Sequence, residues 1–202
     1  YDTTTVATLA GTASVAALGS DAVSVIGAGT ASFANKNAGA NKAVAVTGYS
    51  LTGSDAGNYT LIQPTGLSAT ISKATLNVTG ISASDKVYDS TTAATLSGTA
   101  SVSALGSDVV SLGGTGVGNF SDKNAGSNKA VTVTGYTLGG TDAGNYNLIQ
   151  SSGVTANIAK ANLAVGGVSA TNKTYDSTTA ATLTGTATVS AIGGDVVAVS
   201  GI

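Results

Sequence analysis

The sequence predicts an all-β chain of small antiparallel β domains, repeated in tandem and set end to end as a rod. Three observations carry this. Tyr1-Asp2 returns as Tyr88-Asp89 and again as Tyr175-Asp176, a constant interval of 87 residues. Helix signals are nearly absent, because Thr, Val, Ser, Asn and Gly dominate and no window keeps the i, i+3, i+4, i+7 apolar spacing for long. Short runs of period-two alternation recur instead, each closed by a turn rich in Gly, Asn or Asp.

The repeat register holds without a gap. Phe33 returns as Phe120, Asp55-Ala56-Gly57-Asn58-Tyr59 as Asp142-Ala143-Gly144-Asn145-Tyr146, and Lys73-Ala74 as Lys160-Ala161. Periods of roughly 20 to 50 residues mark solenoids, whose units must stack to bury an apolar face. An interval of 87 residues is longer, and a unit of that size closes a small core alone while burying about 60 to 65% of its unfolded surface. The predicted units are 1–73, without the stretch equivalent to Lys73 through Val87; 74–160, complete; and 161–202, which ends partway through its repeat.

Within a unit, Gly19-Ser20-Asp21 forms the first strong turn and Asn35-Lys36-Asn37-Ala38-Gly39 the second, each offering positive-φ positions and Asx-type bonding. Val44-Ala45-Val46-Thr47 and its copy Val131-Thr132-Val133-Thr134 alternate as a strand. Ser54-Asp55-Ala56-Gly57-Asn58 turns the chain into Leu67-Ser68-Ala69-Thr70-Ile71, and Leu76-Asn77-Val78 alternates again. About seven or eight strands are expected per unit. Sheets wetted on one face explain the alternation better than parallel sheets, whose strands read as continuous apolar runs, so a β-sandwich, Ig-like or β-grasp-like arrangement is expected. With 4% aromatic residues, the core is thin: Val, Leu, Ile and Ala around Phe33, Tyr49, Tyr59 and their copies. Each aromatic removes on the order of 150 to 250 Å² from water, so these few organise the packing, and the tyrosines read as core or strand anchors before ligand platforms. Lys73 through Val78 joins units without Pro, Gly or Ser, which leaves little slack and favours a semi-rigid array.

Composition excludes several functions. The chain has no Cys, Met, Trp, His, Glu or Arg, so its ten acids are all Asp and its eight bases all Lys. No imidazole base or ligand, thiolate, disulfide or structural zinc site is available. A net charge of −2 and scattered lysines argue against nucleic acid, which attracts a basic stripe. No run approaches the roughly 18 apolar residues of a membrane span, so no membrane insertion is expected. Lysines beside turns, such as Lys36 and Lys123, read as solvated.

Four motifs stand in order across the unit: Asp85-Lys86-Val87-Tyr88-Asp89-Ser90-Thr91-Thr92-Ala93, Asn119-Phe120-Ser121-Asp122-Lys123-Asn124-Ala125-Gly126, Val131-Thr132-Val133-Thr134-Gly135-Tyr136 and Asp142-Ala143-Gly144-Asn145-Tyr146. Together they resemble the YDG-type repeats, and the related glycine-bearing β repeats, of large bacterial surface adhesins. The resemblance covers the whole chain. One departure is plain: the family's Tyr-Asp-Gly reads Tyr1-Asp2-Thr3, Tyr88-Asp89-Ser90 and Tyr175-Asp176-Ser177, so the turn must accept a side chain where the family has Gly. The resemblance implies export, often by two-partner secretion of filamentous haemagglutinin-like proteins, an extracellular or cell-surface location, and a stalk role in cell adhesion or biofilm formation.

The function expected is therefore a structural stalk, with no enzymatic activity, no cofactor, and the other repeats of the same chain as partners. The alternative is that the repeats bind directly, through homophilic contact with like molecules on neighbouring cells or weak multivalent contact with exopolysaccharide, where avidity strengthens a millimolar contact. Its candidate surface is Asp55, Asn58 and Tyr59 with Asp142, Asn145 and Tyr146, because Asn and Asp bridge sugar hydroxyls while Tyr stacks; the plainer reading is a turn leading into a strand. Calcium at a unit junction would use Asp85 and Asp89. Calcium needs six to eight oxygens, however, no Asp-x-Asp-x-Asp run exists, and Asp85 becomes Asn172 one repeat on. Lys–Asn or Lys–Asp isopeptide bonding at Lys36, Lys73 or Asn58 lacks the usual proton-shuttling Glu. Thr-x-Thr pairs recur too rarely for an ice-binding face, and acid–base catalysis would rest on Asp, Lys and Tyr alone. Asn-x-Ser/Thr triplets at Asn58, Asn77, Asn119 and Asn172 read as chance in a Thr-rich chain.

Overall fold

The computed structural model describes residues 1–200. Apart from two single-turn 3-10 helices, Ala56–Asn58 and Ala143–Asn145, its regular elements are strands. The first repeat holds β1 (Val6–Ala7), β2 (Ser24–Ile26), β3 (Thr30–Phe33), β4 (Gly39–Thr47), β5 (Ser50–Thr52) and β6 (Ser68–Ile71). Next come β7 (Ala74–Asn77), β8 (Thr79–Ala83), β9 (Lys86–Val87), β10 (Ala93–Ala94) and β11 (Leu96–Ser101). The second repeat continues with β12 (Ser111–Phe120), β13 (Gly126–Gly139), β14 (Tyr146–Ile149) and β15 (Thr155–Ala159), followed by β16 (Gly166–Ala170) and β17 (Leu183–Thr188). The expected runs at 44–47, 131–134, 67–71 and 76–78 all fall on strands or their immediate ends.

The chain forms two compact units, and each draws on stretches of two successive repeats. One comprises 1–79, 100–114 and 136–149; the other comprises 80–99, 115–135 and the described residues from 150 onward. The 87-residue period and these units thus divide the chain at different places.

In the first unit, β1, β3, β4 and β6 form an antiparallel sheet in which Val6 faces Ser32, Phe33 faces Val44 and Ala43 faces Ser68. The register of β4 against β6 shifts between Gly39 and Lys42. Asn41 sits there at φ 51°, a left-handed conformation that Asn tolerates better than most residues. β7 pairs in parallel with β14, Tyr146 opposite Ala74 and Leu148 opposite Leu76. Val46, Leu76, Val78 and Tyr146 are buried there, so the segment expected to join units is a packed strand.

In the second unit the sheet runs β10-β12-β13-β15-β9, with β9 parallel to β15. Its core alternates along the strands: Val131 and Val133 from β13, Ala156 and Ile158 from β15, Phe120 from β12 and Val154 just before β15. The bulge recurs between Gly126 and Lys129, with Asn128 at φ 49°. Gly135, at φ +95°, has room for no side chain, since a Cβ would run into the Thr115 carbonyl oxygen.

Two expectations change. Antiparallel pairing dominates but is joined by the parallel pairs β7·β14 and β9·β15; parallel strands need a long crossover, and nearly a full repeat intervenes in each case. Of the aromatics expected in the core, Phe120 and Tyr146 are buried, whereas Phe33, Tyr49 and Tyr59 are only half-buried. Tyr49 lies across Gly29, where a Cβ would strike its ring.

Candidate functional site

Two constructions recur with the repeat. The first is the Tyr-Asp turn. Asp2 Oδ1 accepts from the Thr4 N–H at 2.9 Å and the Thr4 hydroxyl at 3.0 Å; Asp89 does the same for Thr91, and Asp176 for Thr178. The residue between them is left-handed every time, at φ 68° for Thr3, 65° for Ser90 and 61° for Ser177. A side chain stands at this left-handed position in every copy. Lys86 closes the turn: its Nζ donates to Asp89 Oδ1 at 2.7 Å, the Thr91 carbonyl at 2.9 Å and the Ala93 carbonyl at 3.0 Å, 5.5 Å above the Phe120 ring. Lys173 repeats this with Asp176 and Thr178. Hydrogen bonding from Lys86, then from Thr91, holds the Asp89 carboxyl at about 2. Lys86 and Lys173 are absent from the residues expected to matter, although the recurrence of Lys-x-Tyr-Asp-x-Thr at both marks them.

The second construction, in the first unit, centres on Asp108, whose side chain has no exposed surface. Tyr1 and Tyr146 both donate their hydroxyls to its Oδ2, at 2.6 and 2.7 Å. Lys36 Nζ donates to its Oδ1 and lies 3.8 Å from Asp142. The Tyr146 oxygen also accepts from the Leu105 N–H at 3.0 Å, and the Tyr1 and Tyr146 rings meet edge to face, 5.4 Å between centroids. Lys36, followed by Tyr1, holds the Asp108 carboxyl down at about 2, and the same bond pushes the Lys36 ammonium up. Burial raises both tyrosine hydroxyls, and donation to Asp108 raises them further.

The second unit repeats the arrangement: Tyr88 donates to Asp195 Oδ2 at 2.5 Å and Lys123 to Oδ1 at 2.6 Å. The sequence separations are identical, 107 residues for Tyr to Asp and 72 for Lys to Asp. Lys36 and Lys123, expected as solvated turn residues, keep 33% and 41% of their side chains exposed but are ion-paired. Each is committed to an aspartate of the next repeat, a distance at which no local pattern shows. Both partners are held in their charged forms, which suits an electrostatic clasp; a general acid or base works best with its pKa near the operating pH.

The six residues of the candidate binding surface part company. Tyr146 and Asn145 are buried; the Asn145 side-chain oxygen accepts from the Ala38 N–H at 2.9 Å. Asp142 accepts from the Val109 N–H at 2.9 Å and is half-buried. In the first repeat Asp55 likewise accepts from Ala22 at 2.8 Å, and Tyr59 donates to Asp21 at 2.7 Å. Asn58 is exposed, while Asp55 and Tyr59 are half-buried.

The carboxylates considered for calcium do not converge. Asp85 accepts from the backbone and side chain of Asn157 at 2.7 and 2.8 Å, while Asp89 is held by Lys86 and Thr91. Among the described residues, no group of three or more carboxylates is placed to hold a metal ion, and no helix is long and apolar enough to cross a membrane.

No curated protein and no solved structure matches this chain. The YDG domain family matches residues 1–66 and 72–156, about three quarters of the sequence, and the chain belongs to it.

Proposed function

We propose that these repeats are the structural stalk of a secreted or cell-surface bacterial adhesin, tandem β domains end to end that project a binding tip and support adhesion or biofilm formation without catalysis. The observation that supports this best is the clasp of Tyr, Lys and Asp. It joins residues 107 positions apart, at the same spacing in both units, so each repeat is bonded to its successor and an array lengthens by adding copies. Most polar groups at the recurring positions are spent internally, which suits a spacer.

Small-angle scattering on arrays of increasing repeat number, with calcium and with chelator, tests the reading. A constant increment in maximum dimension per 87 residues, unchanged by chelation, is expected; an increment that vanishes as repeats are added overturns it. The second reading, weak carbohydrate binding, is favoured by the exposure of Asn58 beside the half-buried Asp55 and Tyr59. Backbone amide shifts at 55–59 on titration with exopolysaccharide fragments would establish it.

A further inference from the structure

We propose that the repeat 74–160 is built to bear tension: the stretches that open and close it lie parallel, so a pull along the chain loads their pairing in shear. The inference rests on the stalk reading, which supplies the tension, and deepens it by naming the residues that carry the load.

In the first unit β7 and β14 pair in parallel, with Ala74 opposite Tyr146, Leu76 opposite Leu148 and Asn77 opposite Ile149. The Val78 N–H extends this ladder by donating to the Ile149 carbonyl at 2.9 Å. In the second unit β9 and β15 pair the same way, with Lys86 opposite Ile158, and the Tyr88 N–H donates to the Ala159 carbonyl at 2.9 Å. Asn157 adds two bonds to the Asp85 carboxylate, from its backbone N–H at 2.7 Å and its side-chain amide at 2.8 Å. Ala74 and Tyr146, Asp85 and Asn157, and Lys86 and Ile158 all stand 72 residues apart. One register therefore holds the opening stretch of the repeat against its closing stretch.

Strand direction decides how such a pair fails. Tension from the N-terminal side draws β7 backward, and tension from the C-terminal side draws β14 forward. Because the strands run the same way, the two pulls oppose each other along the ladder, and its evenly spaced hydrogen bonds share the load. An antiparallel pair in the same place would be gripped at one end and would open bond by bond. Side chains resist sliding as well. Leu76, Val78 and Tyr146 are buried, and the Tyr146 hydroxyl is fixed by Asp108 and the Leu105 N–H. A slip of β14 by one residue would turn its buried face outward.

Single-molecule pulling on the whole chain tests this by changing the direction of load alone. The chain has no Cys, so two introduced thiols define the handles. Lys73→Cys with Ser152→Cys grips opposite ends of the β7·β14 pair and shears it. Lys73→Cys with Gly144→Cys grips the same end and peels it. Lys73, Gly144 and Ser152 are all exposed, and a Cβ at Gly144 meets nothing within 4 Å. At equal pulling speed, the sheared pair is expected to hold to at least about twice the force at which it peels, since forced opening follows the barrier along the loaded direction. Equal forces in the two directions overturn the proposal, as does a higher force in peeling. The ratio is a property of the fold: equal forces leave the scattering increment of the stalk reading intact, and an increment that vanishes leaves the ratio intact.

Discussion

A threonine and two serines occupy left-handed backbone at the Tyr-Asp turns, and Thr3, being β-branched, is the least suited of the three. Left-handed geometry costs a side-chain-bearing residue about 1–2 kcal/mol, and Gly returns part of that gain through its freedom in the unfolded chain. Thr3→Gly and Ser90→Gly are each expected to stabilise the fold by roughly 0.5–1 kcal/mol, read from urea unfolding. The clasp makes a pH prediction. The Asp108 carboxyl lies at about 2 in the fold, against about 3.9 in an unfolded chain. Its folded value is depressed, so its contribution is complete above about pH 4 and is lost as pH falls toward about 2. Tyr1 and Tyr146 are raised, so theirs is lost as pH climbs beyond about 10. Near-UV circular dichroism of the tyrosines should hold across neutral pH and fall at both ends, and Asp108→Asn should flatten the acid limb. The Tyr-Asp turn was legible in the sequence down to the position that had to accept a side chain. The clasp was not, because Lys36 meets its aspartate 72 residues away.

Strands rather than single contacts decide which substitutions the sheets tolerate. Gly135→Ala combines a forbidden φ with a collision against the Thr115 carbonyl oxygen, and a loss of roughly 2–4 kcal/mol is expected from thermal or urea melting. Asn145→Ala removes the acceptor of the Ala38 N–H inside a buried site, costing roughly 1–3 kcal/mol; amide exchange at Ala38 should quicken more than at Val131, which lies in the other unit. Alternation in 44–47, 131–134 and 67–71 gave away these strands, since one face of each is wet. The partners of β7 and β9 were hidden. Parallel pairing between strands most of a repeat apart leaves no turn residue or hairpin signal, and the apolar run at Leu76 and Val78 carries no local sign of β14, its partner far along the chain.

For the molecule as a whole, the period counts copies while packing follows other lines. Residues 74–160 contain Asp108 and Tyr146 but neither Tyr1 nor Lys36. A protein of 74–160 alone is therefore expected to melt below the same residues within 1–160, and calorimetry on the two compares them directly. Restoring Tyr1 and Lys36 on a separate 1–73 chain should recover part of the difference. The clasp also sets the order of events in time. The first unit cannot close until the chain has been made as far as Tyr146, and contacts of such long sequence separation form slowly. Synthesis starts at the N-terminus, so folding trails the growing end by about one repeat, and the newest repeat always waits on a successor to finish the unit behind it.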